Sequence, residues 1–149
     1  MLTQLNCVKK TKFAIKILMS TEEEILEKYN LKKTNFRLNL IKLFQNSNSS
    51  LTAEEIQEKI KSTSDKVTIY RALSAFEKKC LIHRVPDKSN LIRYALCQKE
   101  CSQINHKHNH AHFICNICAK TFCLENIKLP KINITSGFKI NKTLLTLEG

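Results

Sequence analysis

Apolar positions in the first half of the chain recur at helical spacing and predict three helical segments. The first covers residues 22–46 and divides into two pieces around the polar stretch 33–35. The second begins at Thr52-Ala-Glu-Glu55, a capping box in which the two end residues satisfy each other's backbone N–H groups, and it ends near Lys61. Asp65 caps the third segment, which extends to about residue 79.

The third segment has an apolar and a polar face, as expected for a helix packed on a core. Its inward stripe, at i, i+3, i+4 and i+7, consists of Ile69, Ala72, Leu73 and Phe76. Its outward face presents Val67, Tyr70, Arg71, Ser74 and Lys78. Two strands, Leu81–Val85 and Leu91–Leu96, follow and are joined by the turn-rich residues 86–90. Helices followed by a hairpin predict a winged helix-turn-helix, whose third helix fits the major groove of DNA.

After residue 97 the pattern is less regular. Strands are expected over residues 119–123 and, as a pair, over 138–140 and 143–147, with a short helix or loop over 125–131. About fifty residues rarely bury enough apolar surface to fold alone, so this part should need a metal, a partner copy, or both. The predicted fold is α+β: an N-terminal winged helix-turn-helix domain over residues 22–97, then a small α/β metal-binding dimerisation domain over 98–149.

Residues 1–21 form a basic extension, and the first 18 contain four lysines and no acid. They are either a basic arm or sequence upstream of a true start at Met19, which we favour. No apolar run is long enough to cross a membrane, and Phe13–Met19 is short and broken by Lys16, unlike a signal peptide. We therefore expect a cytoplasmic protein in a reducing compartment, whose seven cysteines are ligands or bystanders rather than disulfides.

Composition favours a folded protein with a polyanionic partner. Hydrophobic residues make up 42% and charged residues 26% of the chain, which argues against a disordered protein. The formal net charge is +12, and such an excess favours double-stranded DNA as a partner through contacts with phosphates. A genome poor in G and C would also enrich lysine, so charge alone does not decide.

Residues 106–123 carry the metal-binding chemistry. Four of the five histidines alternate at His106, His108, His110 and His112, and Cys115, Cys118 and Cys123 follow. Alternation at period two places the imidazoles on one side of an extended segment. A Cys-x-x-Cys pair brings two thiolates to one tetrahedral ion, and zinc also accepts imidazole. Solvated histidines and inert thiols are the bland alternative, but the two patterns within a dozen residues predict a metal site.

Three segments are characteristic in combination: Asp65-Lys-Val-Thr-Ile-Tyr-Arg-Ala-Leu73, then Phe76-Glu-Lys-Lys-Cys-Leu-Ile82, and the histidine-rich run into Cys115-x-x-Cys118. They resemble the ferric uptake regulator family, and His83 with Cys97 makes the chain most like its zinc uptake regulator branch. The resemblance covers about residue 25 to the end. It implies a metal-dependent dimeric repressor with a winged helix and a dimerisation domain, and no catalysis.

The resemblance also implies roles for individual residues. Arg37, Thr68, Tyr70 and Arg71 match DNA contacts. His110 and His112 match sensing-site histidines, His83 and Cys97 match hinge ligands of the zinc-sensing branch, and Cys123 falls where relatives supply a carboxylate. His108 is a further candidate ligand, and Cys115 and Cys118 match the first half of a structural zinc site. This donor set is rich in nitrogen and sulfur, which suits Zn2+ better than the alternatives, Fe2+ and Mn2+.

Four positions depart from the family pattern. Cys80 replaces a glycine after the third helix, where a left-handed conformation costs a non-glycine residue roughly 1–2 kcal/mol. Ala119 replaces the glycine after Cys118, and Thr143 stands where relatives carry a histidine of an additional site. The chain ends at Gly149, where relatives continue into a second Cys-x-x-Cys, so we expect the structural zinc site to lack two of four ligands.

The sequence thus predicts a zinc-responsive repressor of metal-uptake genes that binds operator DNA as a homodimer, with neither a membrane nor a small-molecule substrate as partner. A sensor of iron, manganese or peroxide with the same fold is the main alternative. A small zinc enzyme would need a carboxylate base, for which Glu125 is the nearby acid. A metal buffer would leave the helix-turn-helix without a purpose.

Overall fold

Helices make up most of the described residues before residue 80: α1 (Glu22–Lys28), α2 (Asn35–Asn46), α3 (Ala53–Lys59) and α4 (Lys66–Lys78). The computed structural model describes residues 21–60, 65–97, 110–134, 137–141 and 143–149. The predicted basic extension, apart from its last residue, therefore lies outside the described residues, as do His106 and His108. The predicted helices are confirmed, including the division of the first segment into two.

Side chains fix where these helices begin. The predicted capping box opens α3: Glu55 N donates to Thr52 Oγ1 at 3.1 Å, and Thr52 N donates to Glu55 Oε2 at 3.0 Å. At α4 the backbone N–H of Thr68 donates to Asp65 Oδ1 at 2.8 Å. Because each cap satisfies an N–H that the helix leaves unpaired, each start is defined locally.

A small antiparallel sheet completes the winged helix. Its strands are β1 (Leu51–Thr52), β2 (Ile82–Val85) and β3 (Arg93–Leu96), in the order β1-β3-β2. The predicted hairpin is β2–β3, although Leu91 and Ile92 lie outside its second strand and are half exposed. β1 was not predicted, because two residues are too few to show an alternating pattern.

The apolar core of the described chain lies in this winged helix. Its members come from all four helices and the sheet, and Leu26, Leu40, Ile41, Ile56 and Phe76 are completely inaccessible. The predicted inward stripe of α4 is buried, and its predicted outward residues are exposed. After α4, Cys80 has a φ of +60°, so the expected left-handed turn is confirmed at this non-glycine position.

A second three-stranded sheet forms in what we call the lobe, the described residues from 110 to 149. Its strands are β4 (Ala111–Ile114), β5 (Thr121–Leu124) and β6 (Leu145–Glu148), in the order β5-β4-β6. β4 and β5 form an antiparallel hairpin, whereas β6 runs parallel to β4. In the described part of the chain, no helix is long and apolar enough to cross a membrane.

One prediction for the lobe was wrong in detail. Residues 138–140 are not a strand, so the expected pairing with 143–147 does not form. Instead β6 adds to the edge of β4, a partner more than thirty residues away that local alternation cannot identify. Of the two alternatives expected for residues 125–131, the loop is found, and it begins with a turn.

The wing turn, residues 86–90, is held from two sides. The buried Arg93 guanidinium contacts Asp87 Oδ1 through Nε at 2.6 Å and Glu55 Oε2 through Nη1 at 3.1 Å, which ties the turn to the start of α3. Burial alone would raise the pKa of Asp87, but hydrogen bonds from Arg93 and from backbone N–H groups hold it below its usual value.

On the other side, the wing turn contacts the lobe. Thr121 Oγ1 donates to the carbonyl oxygen of Pro86 at 2.7 Å, and Lys88 Nζ lies 3.1 Å from Glu148 Oε2. Nearby, Ser50 N donates to the carbonyl oxygen of Thr121 at 2.9 Å. These contacts bring β2 of the wing beside the β4–β5 hairpin.

Candidate metal centre

Four potential ligands converge where the wing meets the lobe. They are His83 of β2, His110 before β4, His112 of β4 and Cys123 of β5, and we call them the metal group. One ligand atom from each lies within 4.8 Å of all the others. The three histidines are buried and Cys123 is partly buried. The group therefore joins the two parts of the fold at a site largely shielded from water.

The β4–β5 hairpin positions three of these side chains. Its register places His112 directly opposite Cys123, and directly paired residues of an antiparallel ladder project to the same face. His110 precedes His112 by two residues and shares that face, as the alternation predicted. The two imidazole centroids are 4.8 Å apart. Local strand geometry therefore suffices to bring these three ligands together.

His83 completes the group from the wing. Its Nε2 lies 3.5 Å from Cys123 Sγ, and its ring centroid lies 5.2 Å from that of His110. Its other nitrogen, Nδ1, lies 3.4 Å from the sulfur of Cys97, a buried residue that follows β3. The imidazole thus lies between two thiols, one in the metal group and one behind it.

Cys97 stands apart from the other predicted regulatory ligands. It contacts His83 but is not one of the four residues whose ligand atoms lie mutually close. Its backbone N–H donates to the carbonyl oxygen of Leu81 at 2.9 Å, which fixes it beside the start of β2. Its role as a direct metal ligand stays a prediction.

Burial disfavours the charged form of the cysteine in the group. Burial, and secondarily the Glu125 carboxylate, raise the pKa of the Cys123 thiol to about 12. Since a metal ligand must be deprotonated, zinc binding here has to release that proton. Glu125 Oε2 also lies 3.7 Å from His110 Nδ1. From the sequence, Glu125 is predicted only as a possible base of a zinc enzyme, and its place beside the metal group is not predicted, although its spacing of two from Cys123 was an available signal.

Three imidazoles and one thiolate are a donor set that zinc accepts in tetrahedral coordination. Ions such as Mn2+ prefer carboxylate, carbonyl and water oxygens. The side chains present therefore fit zinc, which would supply a fixed link between wing and lobe when bound.

Cys115 and Cys118 lie together in the turn between β4 and β5. The turn is closed by hydrogen bonds from Cys115 N to Lys120 O at 3.0 Å and from Ala119 N to Cys115 O at 2.9 Å. Ala119 has a φ of +54°, a conformation that glycine adopts without strain. Three other potential donors near this turn in the sequence, Cys101, His106 and His108, fall outside the described residues. The structural zinc site therefore stays a prediction.

The predicted DNA contacts lie on the surface of the winged helix. Thr68, Tyr70 and Arg71 are exposed on α4, and 47% of Tyr70 is accessible. Arg37 lies in the first turn of α2, where its Nη1 donates to the carbonyl oxygen of Lys32 at 3.0 Å. A winged helix connected to a small sheet domain through a histidine–cysteine group is the architecture of a metal-responsive DNA-binding regulator.

A family model described as the ferric uptake regulator family matches residues 28–148. The chain belongs to this family. It is a metal-responsive DNA-binding transcription regulator and not an enzyme, which excludes the zinc enzyme considered from the sequence.

Individual relatives are distant. The ferric uptake regulation protein of Campylobacter jejuni is 27% identical over 142 residues, covering 89% of this chain and 85% of the relative. A zinc uptake regulator complexed with zinc and DNA superposes with a TM-score of 0.60 at 20% identity, over 95% of this chain and 93% of that one. A zinc-bound manganese uptake regulator also has a TM-score of 0.60, at 18% identity over 87% and 98% of the two chains. At such identities, the structures establish the fold alone.

Proposed function

We propose that this protein is a zinc-responsive repressor of metal-uptake genes, which binds double-stranded operator DNA as a homodimer. The observation that carries the proposal is the metal group, three histidines and one cysteine contributed by both the wing and the lobe. In this account His83, His110, His112 and Cys123 are the regulatory ligands. Cys97 supports His83 or joins the coordination, and His108 is a further candidate. Cys115 and Cys118 belong to a separate structural site.

Zinc acts by fixing the direction of the reading helix α4. His83 belongs to β2, which follows α4 in the chain and contacts it, while the other three ligands belong to the lobe. A metal that binds one arrangement of the two parts better than the others shifts the population toward that arrangement. The selected arrangement presents Tyr70 and Arg71 to base edges, with Thr68 and Arg37 at the backbone and minor groove.

The homodimer is supported by the surface of the lobe. Phe138 is 76% exposed and Ile117 is 75% exposed, and the further apolar side chains of the lobe that are more than a third exposed are Ile127, Ile132, Ile134, Ile140, Leu144 and Leu147. An exposed apolar surface of this kind on a small domain favours association with a second copy. Two reading helices related by a two-fold axis would match two half-sites of a palindromic operator.

Zinc is preferred to iron or manganese because of the thiolate. One carboxylate, that of Glu125, is found beside the group among the described residues, whereas an iron or manganese sensor would use more oxygen donors. One structural relative is a zinc-bound manganese uptake regulator, so the metal found in a purified protein does not by itself identify the metal sensed.

The test is operator binding in buffered metal. Fluorescence anisotropy of a labelled operator should be followed while free Zn2+, Mn2+ or, without oxygen, Fe2+ is raised, each within its buffered intracellular range. We expect zinc alone to increase DNA affinity. Equal or stronger activation by iron or manganese would assign the alternative sensor, and no response to any metal would reject the proposal.

A further inference from the structure

Glu125 lies directly behind one ligand of the metal group. Its Oε2 is 3.7 Å from His110 Nδ1, and the side chains of the two residues are 15% and 7% exposed. This separation is slightly longer than a hydrogen bond, and a small side-chain rotation would close it. The pair is therefore poised to form a carboxylate–imidazole contact within a shielded site.

The backbone explains why the carboxylate is held there. β5 ends at Leu124, and the turn that follows is closed by Ile127 N donating to Leu124 O at 3.1 Å. The same turn is attached to β4, because Ala111 N donates to the carbonyl oxygen of Ile127 at 3.0 Å. Glu125 is thus fixed beside the start of β4, next to His110, and does not depend on a flexible loop for its position.

Charge gives a reason for an acid at this point. Zinc with one thiolate and three neutral imidazoles carries a net charge of +1, from +2 and −1. Burying an unbalanced charge is unfavourable, and one adjacent carboxylate makes the assembly neutral. In addition, Glu125 Oε1 is buried and has no hydrogen-bond partner among the described residues. Such an oxygen is costly to bury unless a nearby positive charge compensates for it.

We propose that Glu125 is a positioning residue of the zinc site: it accepts a hydrogen bond from His110 Nδ1 and so directs Nε2 of that imidazole to the metal. The inference rests on the proposed function, since it assumes zinc at the metal group. Carboxylates that orient ligating imidazoles in this way fix the tautomer and strengthen the ligand, and their loss weakens metal binding about 10–100-fold.

The test is zinc affinity of the full chain, measured by competition with a chromophoric chelator. Glu125→Gln keeps the shape but removes the charge, and we expect affinity to fall about tenfold or more while the zinc stoichiometry is unchanged. Glu58→Gln is the matched control, because this exposed acid of α3 lies outside the metal group and outside the contacts between wing and lobe, and its affinity should equal that of the parent.

Cobalt spectra distinguish positioning from direct ligation. With Co2+ in place of zinc, and in a Cys115→Ser, Cys118→Ser background that removes the thiolates of the separate structural site, Glu125→Gln should keep the intense visible bands of a tetrahedral site and the thiolate charge-transfer band. Loss of the tetrahedral bands would make Glu125 a ligand, and unchanged zinc affinity would make it a bystander; either result overturns the inference. Cys123→Ser, measured in parallel, tests the site itself: if it too leaves zinc affinity and the thiolate band unchanged, the proposed function fails rather than the role of Glu125.

Discussion

The winged helix and the lobe differ in what is buried inside them. The winged helix has one apolar core to which every helix and the sheet contribute. In the described lobe the buried residues are His110, Ala111, His112, Ile114, Cys115 and Thr121. Two of these are aliphatic, and the others carry metal-ligating or polar side chains. Meanwhile, Ile117 and Phe138 are about three-quarters exposed.

The two parts of the fold therefore depend on different forces. Burial of apolar area stabilises the winged helix without help from any ligand. The lobe buries little apolar surface, so it should rely on a metal and on a partner copy that covers its apolar side chains. A domain of this second kind is suited to sensing, because its order changes with the ligand that it detects.

The largest expected effect comes from the apolar core. Phe76 is completely buried in α4, so Phe76→Ala should lower the free energy of unfolding of the winged helix by about 3–5 kcal/mol. The loss should be the same with and without zinc, as measured by urea denaturation followed by circular dichroism. Val67→Ala, on the exposed face of the same helix, should change stability by less than about 0.5 kcal/mol. A loss at Phe76 that vanished in zinc would show that the two parts do not differ as described.

Metal removal should affect the other part. Zinc at about 100 times its dissociation constant stabilises the form that binds it by about 2.7 kcal/mol, so chelation should speed hydrogen exchange in β4 and β5. Amides of α2, which belongs to the apolar core, should keep their protection. His112→Gln should remove the effect of zinc on the lobe. If the chelator sped hydrogen exchange equally in the lobe and in the winged helix, the two parts would not differ as described.

The sequence predicted the winged helix well because its signals are local. A capping box such as Thr52–Glu55 and a stripe at i, i+3, i+4 and i+7 are complete within one helix. In the lobe, the parallel pairing of β6 with β4 joins segments distant in the chain, and no local pattern specifies it. The strand β1 was not predicted, because its two residues are too few to show an alternating pattern.

The same distinction applies to the metal group. His110, His112 and Cys123 belong to one hairpin, so spacing and alternation suffice to place them together. The position of His83 in the group depends on packing of the wing turn against the lobe, through contacts such as the hydrogen bond from Thr121 to Pro86. His83 was predicted as a ligand from the family resemblance alone. Glu125 was not predicted beside the group, because its spacing from Cys123 does not show that the turn after β5 holds it next to His110.

The smallest expected effects come from replacing an alanine by glycine, once in the lobe and once in the winged helix. Ala119 is exposed and has a φ of +54°, so Ala119→Gly should relieve strain and stabilise the zinc-bound lobe by about 1 kcal/mol. Ala75→Gly, within α4, should instead destabilise the winged helix by about 0.5–1 kcal/mol, because glycine loses more conformational freedom in a helix. Chemical denaturation in zinc measures both, and a destabilising Ala119→Gly would show that the turn carries no strain.

Zinc bound at the metal group should control the affinity of the protein for DNA. The decisive measurement is operator occupancy against buffered free zinc for the parent, Cys123→Ser and Cys80→Ala, the last being a buried thiol of the winged helix outside the group. Serine is a far poorer zinc ligand than thiolate, so Cys123→Ser should need at least about tenfold more free zinc for half occupancy. Cys80→Ala should follow the parent curve. If the Cys123→Ser and parent curves overlapped, the metal group would not be the sensor.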